Sequence, residues 1–164
     1  MARCLIIGCG CRGRLLAGRL SAAGHAVRGT TRSTASRIAI EAAGAEPVVA
    51  DPDRVATLAE AFDHVSVTCV LLGSAVGARD RLAALHGPRL EMLLARMLDT
   101  TVRGIVYEAV GSVDEAVLGA GAEVVGDACE RSLIPYSLLT ASPDYPPAWL
   151  AAAMLAVEQV LAAR

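Results

Sequence analysis

The sequence predicts a doubly wound α/β fold, in which about six parallel strands form the middle of three layers. Short apolar segments alternate with amphipathic helical patterns along all 164 residues, and this alternation is typical of a parallel sheet with helices on both faces. Hydrophobic residues make up 54% of the chain, which agrees with strands that are buried on both faces. We expect one domain over residues 1–164, without a separate substrate domain.

The first half of the chain contains three strand-helix units. Apolar segments predict strands over residues 4–7, 26–30 and 47–50, and helical patterns follow at residues 12–23, 34–43 and 54–62. Gly24 and Gly44 stand where the first two helices end, and Ser33 or Thr34 is placed to cap the second helix. One βαβαβ half therefore precedes residue 64.

The second half repeats the alternation. Strands are predicted over residues 65–72, 105–108 and 136–140, and helices over 88–98 and 147–163. The run Ser112-Val113-Asp114-Glu115 has the spacing of a capping box and begins a helix that reaches residue 131 with a glycine break. Two successive βαβαβ halves give the strand order 3-2-1-4-5-6.

A glycine motif follows the first strand and carries the functional argument. Gly8-Cys9-Gly10-Cys11-Arg12-Gly13 is G-x-G-x-x-G, and it opens a helix inside a βαβ unit, which is the context of a Rossmann-type dinucleotide site. Gly8 would make the tight turn, Gly10 would let a pyrophosphate approach the backbone, and Gly13 would let helix and strand pack closely. Helix N–H groups from Cys11 and Arg12 onward would hold the diphosphate. A glycine-rich turn without a ligand is the disfavoured alternative.

The end of the second strand favours NADP(H) over NAD(H). An acidic residue that would accept hydrogen bonds from the ribose 2′-hydroxyl is expected at Thr31, which is neutral, and Arg32 and Ser33 follow. A guanidinium beside hydroxyls suits a 2′-phosphate because it offers charge and a planar set of donors. Arg28 lies mid-strand and is a less suitable contact. The alternative is that Arg32 is merely solvated at the edge of a loop.

These residues resemble the atypical and extended short-chain dehydrogenase/reductases, including sugar-nucleotide epimerase-like proteins. The resemblance rests on the glycine motif, on residues 24–28 and 30–32, and on residues 129–139 before and in the sixth strand. It implies that Asp51 meets the adenine amino group, and that Leu72, Gly73 and Ser74 pass near the ribose and nicotinamide.

The sequence departs from this family at the catalytic residues. Active members carry a Tyr-x-x-x-Lys pair, whereas all fifteen basic residues of this chain are arginines. Where the family's serine is expected after the fifth strand, the chain has Tyr107-Glu108-Ala109. Glu108 is a candidate general acid or base, because burial would raise the pKa of its carboxyl group. The favoured alternative is a structural carboxylate bonded to loop amides or to an arginine.

Composition excludes several other functions. The formal net charge is −2 and aromatic residues are only 3%, so neither a basic surface nor a stacking platform for nucleic acid is expected. The five cysteines have neither disulfide-framework nor metal-ligand spacing, and Cys9 and Cys11 are interpreted as small residues of the loop rather than as a redox switch. The sequence shows no secretory signal and no segment long enough to span a membrane, so we expect a cytoplasmic protein without a metal.

The last helix predicts how the protein assembles. The last helix carries large apolar residues over more of its surface than one buried stripe needs, which predicts a two-fold dimer through that helix; these residues are Trp149, Leu150, Met154, Leu155, Val157 and Leu161. Three functional hypotheses follow: an NAD(P)-dependent oxidoreductase or epimerase-like enzyme with a non-standard or shared site, a non-catalytic dinucleotide-binding module, and, least favoured, an interaction subunit without a ligand.

Overall fold

The sheet has the predicted topology. A computed structural model describes residues 1–163. Its strands are β1 (Arg3–Ile7), β2 (Ala26–Thr31), β3 (Glu46–Val49), β4 (Val67–Val70), β5 (Ile105–Glu108) and β6 (Tyr136–Leu139). All six are parallel, in the order β3-β2-β1-β4-β5-β6. The doubly wound α/β class and the strand order are therefore confirmed.

Helices cover both faces of this sheet. Alternate residues of β1 enter two separate cores, with Leu5 and Ile7 in one and Cys4 and Ile6 in the other. The helices are α1 (Cys11–Ala22), α2 (Arg37–Ala42), α3 (Arg79–Leu85), α4 (Pro88–Leu98), α5 (Glu115–Ser132) and α6 (Pro146–Ala162). The first core is closed by α4 and α5, and the second by α1, α2 and α6.

The predicted third helix is a 3-10 helix instead. Val55–Phe62 adopts this tighter form, and Val55, Leu58 and Ala61 are buried at every third residue, which matches three residues per turn. The guanidinium of Arg28 donates to the carbonyl oxygens of Glu60, Ala61 and Asp63 at the end of this segment. These hydrogen bonds come from a strand more than 30 residues earlier in the chain, so a local sequence pattern does not predict them.

Other helix boundaries also differ from the prediction. The segment after Ser33 begins as a 3-10 turn, Thr34–Ser36, before α2, and α3 was not predicted. The predicted capping box with Ser112 as the N-cap residue is wrong. The N-cap residue of α5 is Asp114, two residues later, and its carboxylate accepts a hydrogen bond from Ala116 N at 2.9 Å. The helix then runs on without a glycine break.

The last helix is mostly covered within its own chain. Trp149 and Val157 are fully buried, and Leu150, Met154 and Leu161 pack against the second core. Leu155 remains 53% exposed. Within residues 1–163 this helix therefore leaves much less apolar surface than its sequence suggested. No helix in that range is long and apolar enough to cross a membrane.

Candidate functional site

A cleft opens at the carboxyl ends of β1, β2, β3 and β4. Its volume is about 370 Å³, and it lies where the strand order reverses, the usual ligand position in open α/β sheets. The glycine loop forms its floor, and β2, β3 and the segment after β4 form its walls. The lining residues are Gly8, Cys9, Gly10, Cys11, Arg12, Gly13, Arg14, Thr30, Thr31, Arg32, Ser36, Ala50, Pro52, Leu71, Leu72, Ser74, Ala75, Arg81 and Leu85.

Each of the three glycines of the loop has a different structural role. Gly8 has φ +83°, and a Cβ there would lie 2.5 Å from the Leu71 carbonyl oxygen. A Cβ at Gly13 would lie 3.1 Å from the Gly8 carbonyl oxygen and 3.3 Å from Ile6. A Cβ at Gly10 would meet nothing within 4 Å. Gly8 and Gly13 are thus needed for the turn and the packing, whereas Gly10 keeps the floor of the cleft open.

The N-terminus of α1 faces this floor without a protein cap. Gly10 is the N-cap residue, no side chain caps it, and the first turn contains no acidic residue. The first N–H groups of a helix have no acceptor inside the helix, and the helix dipole adds partial positive charge there. The loop can therefore bind a phosphate group.

The two loop cysteines differ in environment. Cys9 is buried, and a Cβ at Gly29 would lie 2.7 Å from its sulfur, so this thiol packs the loop against β2. Burial raises the pKa of Cys9 to about 11. Cys11 is exposed at the cleft, and Arg14 Nη2 lies 3.4 Å from its sulfur.

The charges lining the cleft are all positive. Arg12, Arg14, Arg32 and Arg81 line it, and none of its described lining residues is acidic. Arg12 is paired with Glu108, and Arg81 with Asp53 at 2.6 Å. Arg14 and Arg32 have no acidic partner within 4 Å among residues 1–163. Two arginines therefore face the cleft with uncompensated charge, although the formal net charge of the protein is −2.

Some residues predicted at the site lie outside the lining. Ser33 Oγ accepts a hydrogen bond from Ala35 N at 3.2 Å and caps the 3-10 turn, while Thr31 and Arg32 do line the cleft. Asp51 Oδ1 accepts from Asp53 N at 2.9 Å, and Ala50 and Pro52 stand at the wall on either side of it. Gly73 is buried behind Leu72 and Ser74.

Arg14 and Arg81 line the cleft and were not predicted from the sequence. Arg14 lies one turn into α1, where Gly10 O accepts its backbone N–H, so its spacing from the glycine motif was a usable signal. Arg81 belongs to α3, a helix that the periodicity did not reveal.

Glu108 lies at the end of β5 and is fully buried. Its Oε1 accepts hydrogen bonds from Gly73 N at 2.9 Å and from Arg12 Nη2 at 3.1 Å. Its Oε2 accepts from the same Arg12 nitrogen and from Trp149 Nε1, both at 3.1 Å. The Arg12 guanidinium also stacks 5.4 Å from the centre of the Trp149 ring. We call Arg12, Gly73, Glu108 and Trp149 the Glu108 cluster.

This cluster matches the structural alternative for Glu108. Each carboxylate oxygen accepts two hydrogen bonds, from three donor nitrogens in all, and the side chain is fully buried, so Glu108 exposes no oxygen to solvent in the cleft. A Cβ at Gly73 would lie 2.8 Å from Glu108 Oε1, so the carboxylate needs a glycine there. The catalytic assignment of Glu108 remains a hypothesis, and in this geometry the residue links α1, β4, β5 and α6.

A second buried pair supports the wall of the cleft. His86 Nε2 lies 3.0 Å from the Leu72 carbonyl oxygen, and His86 Nδ1 lies 2.7 Å from the Tyr107 hydroxyl. A carbonyl can only accept, so Nε2 carries the proton and Tyr107 donates to Nδ1. Burial lowers the pKa of His86 and raises the pKa of Tyr107, so both side chains are neutral. The pair holds Leu72 in the segment after β4 and fits a structural role for His86.

No protein-family profile and no curated protein sequence matches this chain. Solved structures do match. The chain is similar to a short-chain dehydrogenase/reductase superfamily protein from Agrobacterium tumefaciens with bound NAD, at TM-score 0.69 and 20% identity over 83% of this chain and 48% of that one. It is similar to a putative NAD-dependent epimerase/dehydratase from Bacillus halodurans, at TM-score 0.73 and 20% identity over 87% and 71% of the two chains.

A third similar structure is vestitone reductase from alfalfa, at TM-score 0.67 and 15% identity over 84% of this chain and 56% of that one. The chain spans about half the length of the first structures it matches. The fold is therefore the Rossmann-type fold found in short-chain dehydrogenase/reductases and NAD-dependent epimerases.

Three features lie on one side of the cleft: the open floor at Gly10, the uncapped N-terminus of α1 and the guanidinium of Arg32 after β2. On the other side of β4, the Glu108 cluster occupies the end of β5.

Proposed function

We propose that this protein binds a nicotinamide dinucleotide in the cleft, with NADP(H) preferred to NAD(H). The observation that carries the proposal is an open glycine loop at an uncapped helix N-terminus, in a cleft lined by four arginines and no described carboxylate. The similar structure from Agrobacterium tumefaciens contains NAD, which supports a nicotinamide cofactor. In this assignment residues 10–13 hold the diphosphate, and Arg32 pairs with the 2′-phosphate.

We expect Arg32→Ala to weaken NADPH binding selectively. A charge-assisted contact contributes about 1.5–3 kcal/mol, which corresponds to a loss of about 10- to 150-fold in affinity. NADH lacks the 2′-phosphate, so its affinity should change by less than about twofold. Isothermal titration of both ligands at one salt concentration measures the difference.

Arg37→Ala is the matched control for this substitution. Arg37 is an exposed arginine at the start of α2 and does not line the cleft, so the control should bind both ligands like the parent protein. Equal affinities of the parent protein for NADPH and NADH would contradict the proposed preference.

An oxidoreductase or epimerase-like activity is a second candidate function, since reductases and epimerases are among the similar structures. A bound nicotinamide would supply hydride transfer. The chain holds no lysine for a Tyr/Lys pair, and Glu108 has its acceptor positions filled. We therefore expect no turnover of simple ketones or sugar nucleotides in a spectrophotometric assay at 340 nm. Robust activity on either substrate would contradict this expectation, and Glu108→Gln would then test Glu108 as the proton donor.

We also propose a two-fold dimer through α6, with Leu155 at its centre. Leu155 is 53% exposed. Ala151 is exposed one turn before it in the same helix, and Glu158 and Gln159 are exposed one turn after it. Light scattering at micromolar concentration should give the dimer mass for the parent protein and the monomer mass for Leu155→Glu, because a charge would be buried at the interface. A monomer mass for the parent protein would remove the proposal.

A further inference from the structure

The cleft extends over only one side of the point where the strand order reverses. In the order 3-2-1-4-5-6 a dinucleotide straddles β1, with its adenosine half over β2 and its other half over β4 and β5. The lining residues follow β1, β2, β3 and β4, or belong to β2, to α1, to α3 and to the 3-10 turn before α2. No described residue of β5, β6 or the segments after them contributes. The open volume therefore covers the adenosine side and ends beside β4.

The chain itself fills the other side. The segment after β5 lies on the segment after β4, where Val113 N donates to Gly73 O at 3.0 Å and Ser112 N donates to Ser74 Oγ at 3.2 Å. A Cβ at Gly111 would collide with the Gly73 carbonyl oxygen. These two segments are packed as closely as a glycine permits.

Arg12 forms the wall between the open and the filled side. Its side chain crosses from α1 to Glu108, and Nη2 also donates to Ser74 Oγ at 3.2 Å. Glu108 and Trp149 behind it are fully buried. A ring placed over β5 would have to displace a guanidinium from a buried carboxylate, and breaking such a pair carries a large energetic cost.

We propose that the protein recognises the 2′-phosphorylated ADP-ribose portion of its ligand and provides no pocket for the nicotinamide ring. The inference rests on the proposed function and deepens it, because it names the part of the ligand that is bound. The ligand class is then any nucleotide with this portion, whatever group the second ribose carries. This arrangement supports a non-catalytic dinucleotide-binding module rather than an oxidoreductase or epimerase-like enzyme.

Titration of the purified protein with three ligands tests this inference. We expect 2′-phospho-ADP-ribose to bind within threefold of NADPH, because the removed ring makes no contact. Nicotinamide mononucleotide should show no binding at millimolar concentration. A tenfold or greater advantage of NADPH over 2′-phospho-ADP-ribose would overturn the inference, since the ring would then contribute to affinity.

The same series separates this inference from the proposed function. If neither NADPH nor 2′-phospho-ADP-ribose binds, the proposed function is wrong and the inference falls with it. If NADPH binds and the truncated ligand binds at least tenfold more weakly, the dinucleotide site stands and only the inference is overturned.

A double variant tests the wall directly. Arg12→Met with Glu108→Gln removes both charges together, and it should raise the affinity for NADPH at least threefold relative to 2′-phospho-ADP-ribose. Arg14→Met is the matched control: Arg14 lines the same cleft but does not contact Glu108, so it should change both affinities by the same factor. If the double variant folds and the ratio of its affinities for NADPH and 2′-phospho-ADP-ribose is unchanged, the role of Arg12 as a wall is overturned. If the double variant does not fold, the three-ligand titration of the parent protein tests the inference.

Discussion

Glu108→Ala is expected to lower the free energy of unfolding by about 2–5 kcal/mol, because it removes a fully buried carboxylate that accepts from three donors and leaves Arg12, which is 26% exposed, without its acidic partner. The substitution also leaves Gly73 N and Trp149 Nε1 without their acceptor. Urea denaturation followed by the fluorescence of Trp149, the single tryptophan of the chain, measures the change.

Glu41→Ala is the control for this prediction. Glu41 is exposed on α2 and has no ion-pair partner within residues 1–163, so its loss should change stability by less than about 0.5 kcal/mol. A loss of under about 1 kcal/mol in Glu108→Ala would mean that water replaces the carboxylate at low cost. Arg12→Met combined with Glu108→Gln should be more stable than Glu108→Ala, because no charge is then left unpaired.

Gly8→Ala is expected to lower the free energy of unfolding by about 2–5 kcal/mol, from left-handed backbone strain and from overpacking. The φ of +83° disfavours any side chain, and the added Cβ would lie 2.5 Å from the Leu71 backbone oxygen. Because that neighbour is backbone, the loop must move as a whole. Thermal or urea denaturation provides the measurement.

Gly10→Ala is the matched variant in the same loop. Its Cβ meets nothing within 4 Å and φ is −80°, so the stability cost should stay below about 1 kcal/mol, the usual penalty for alanine at an N-cap. The same Cβ enters the space through which a diphosphate approaches, so NADPH affinity should fall by on the order of tenfold or more. Equal stabilities of the two variants, or unchanged NADPH binding by Gly10→Ala, would contradict the roles given to these glycines.

Much of the fold was predictable because its signals are local. The apolar segment before Gly8 and the glycine spacing that follows lie within ten residues, and they specify a buried strand, a turn and a helix N-terminus. The same holds for the strand order, since alternating strands and helices leave few right-handed arrangements. The cleft beside Thr31 and Arg32 then follows from the direction of the parallel strands.

Other elements were not predicted correctly because their sequence signals are short or ambiguous. The seven residues of α3 span about two turns, too few for a periodic pattern to stand out. In the segment Val55–Phe62 the apolar residues recur at three-residue spacing and the two polar residues, Thr57 and Glu60, also lie three apart. Eight residues are too few to separate this pattern from a short α-helix, and contacts of Arg28 from β2 accompany the 3-10 form. Asp114 rather than Ser112 caps α5, while Ser112 N bonds to the segment after β4 instead.

The sequence by itself determined the parallel sheet, its order and the glycine loop that predicts a nucleotide site, because each depends on residues close together in the chain. Only the tertiary structure decided what surrounds that loop. Arg12 meets Glu108 across 96 positions of sequence, and Trp149 meets it across 41. Such contacts depend on strand register and helix packing, which bring distant residues to one edge of the sheet. For that reason the motif predicts a nucleotide site, whereas the packing of the Glu108 cluster determines where the cleft ends.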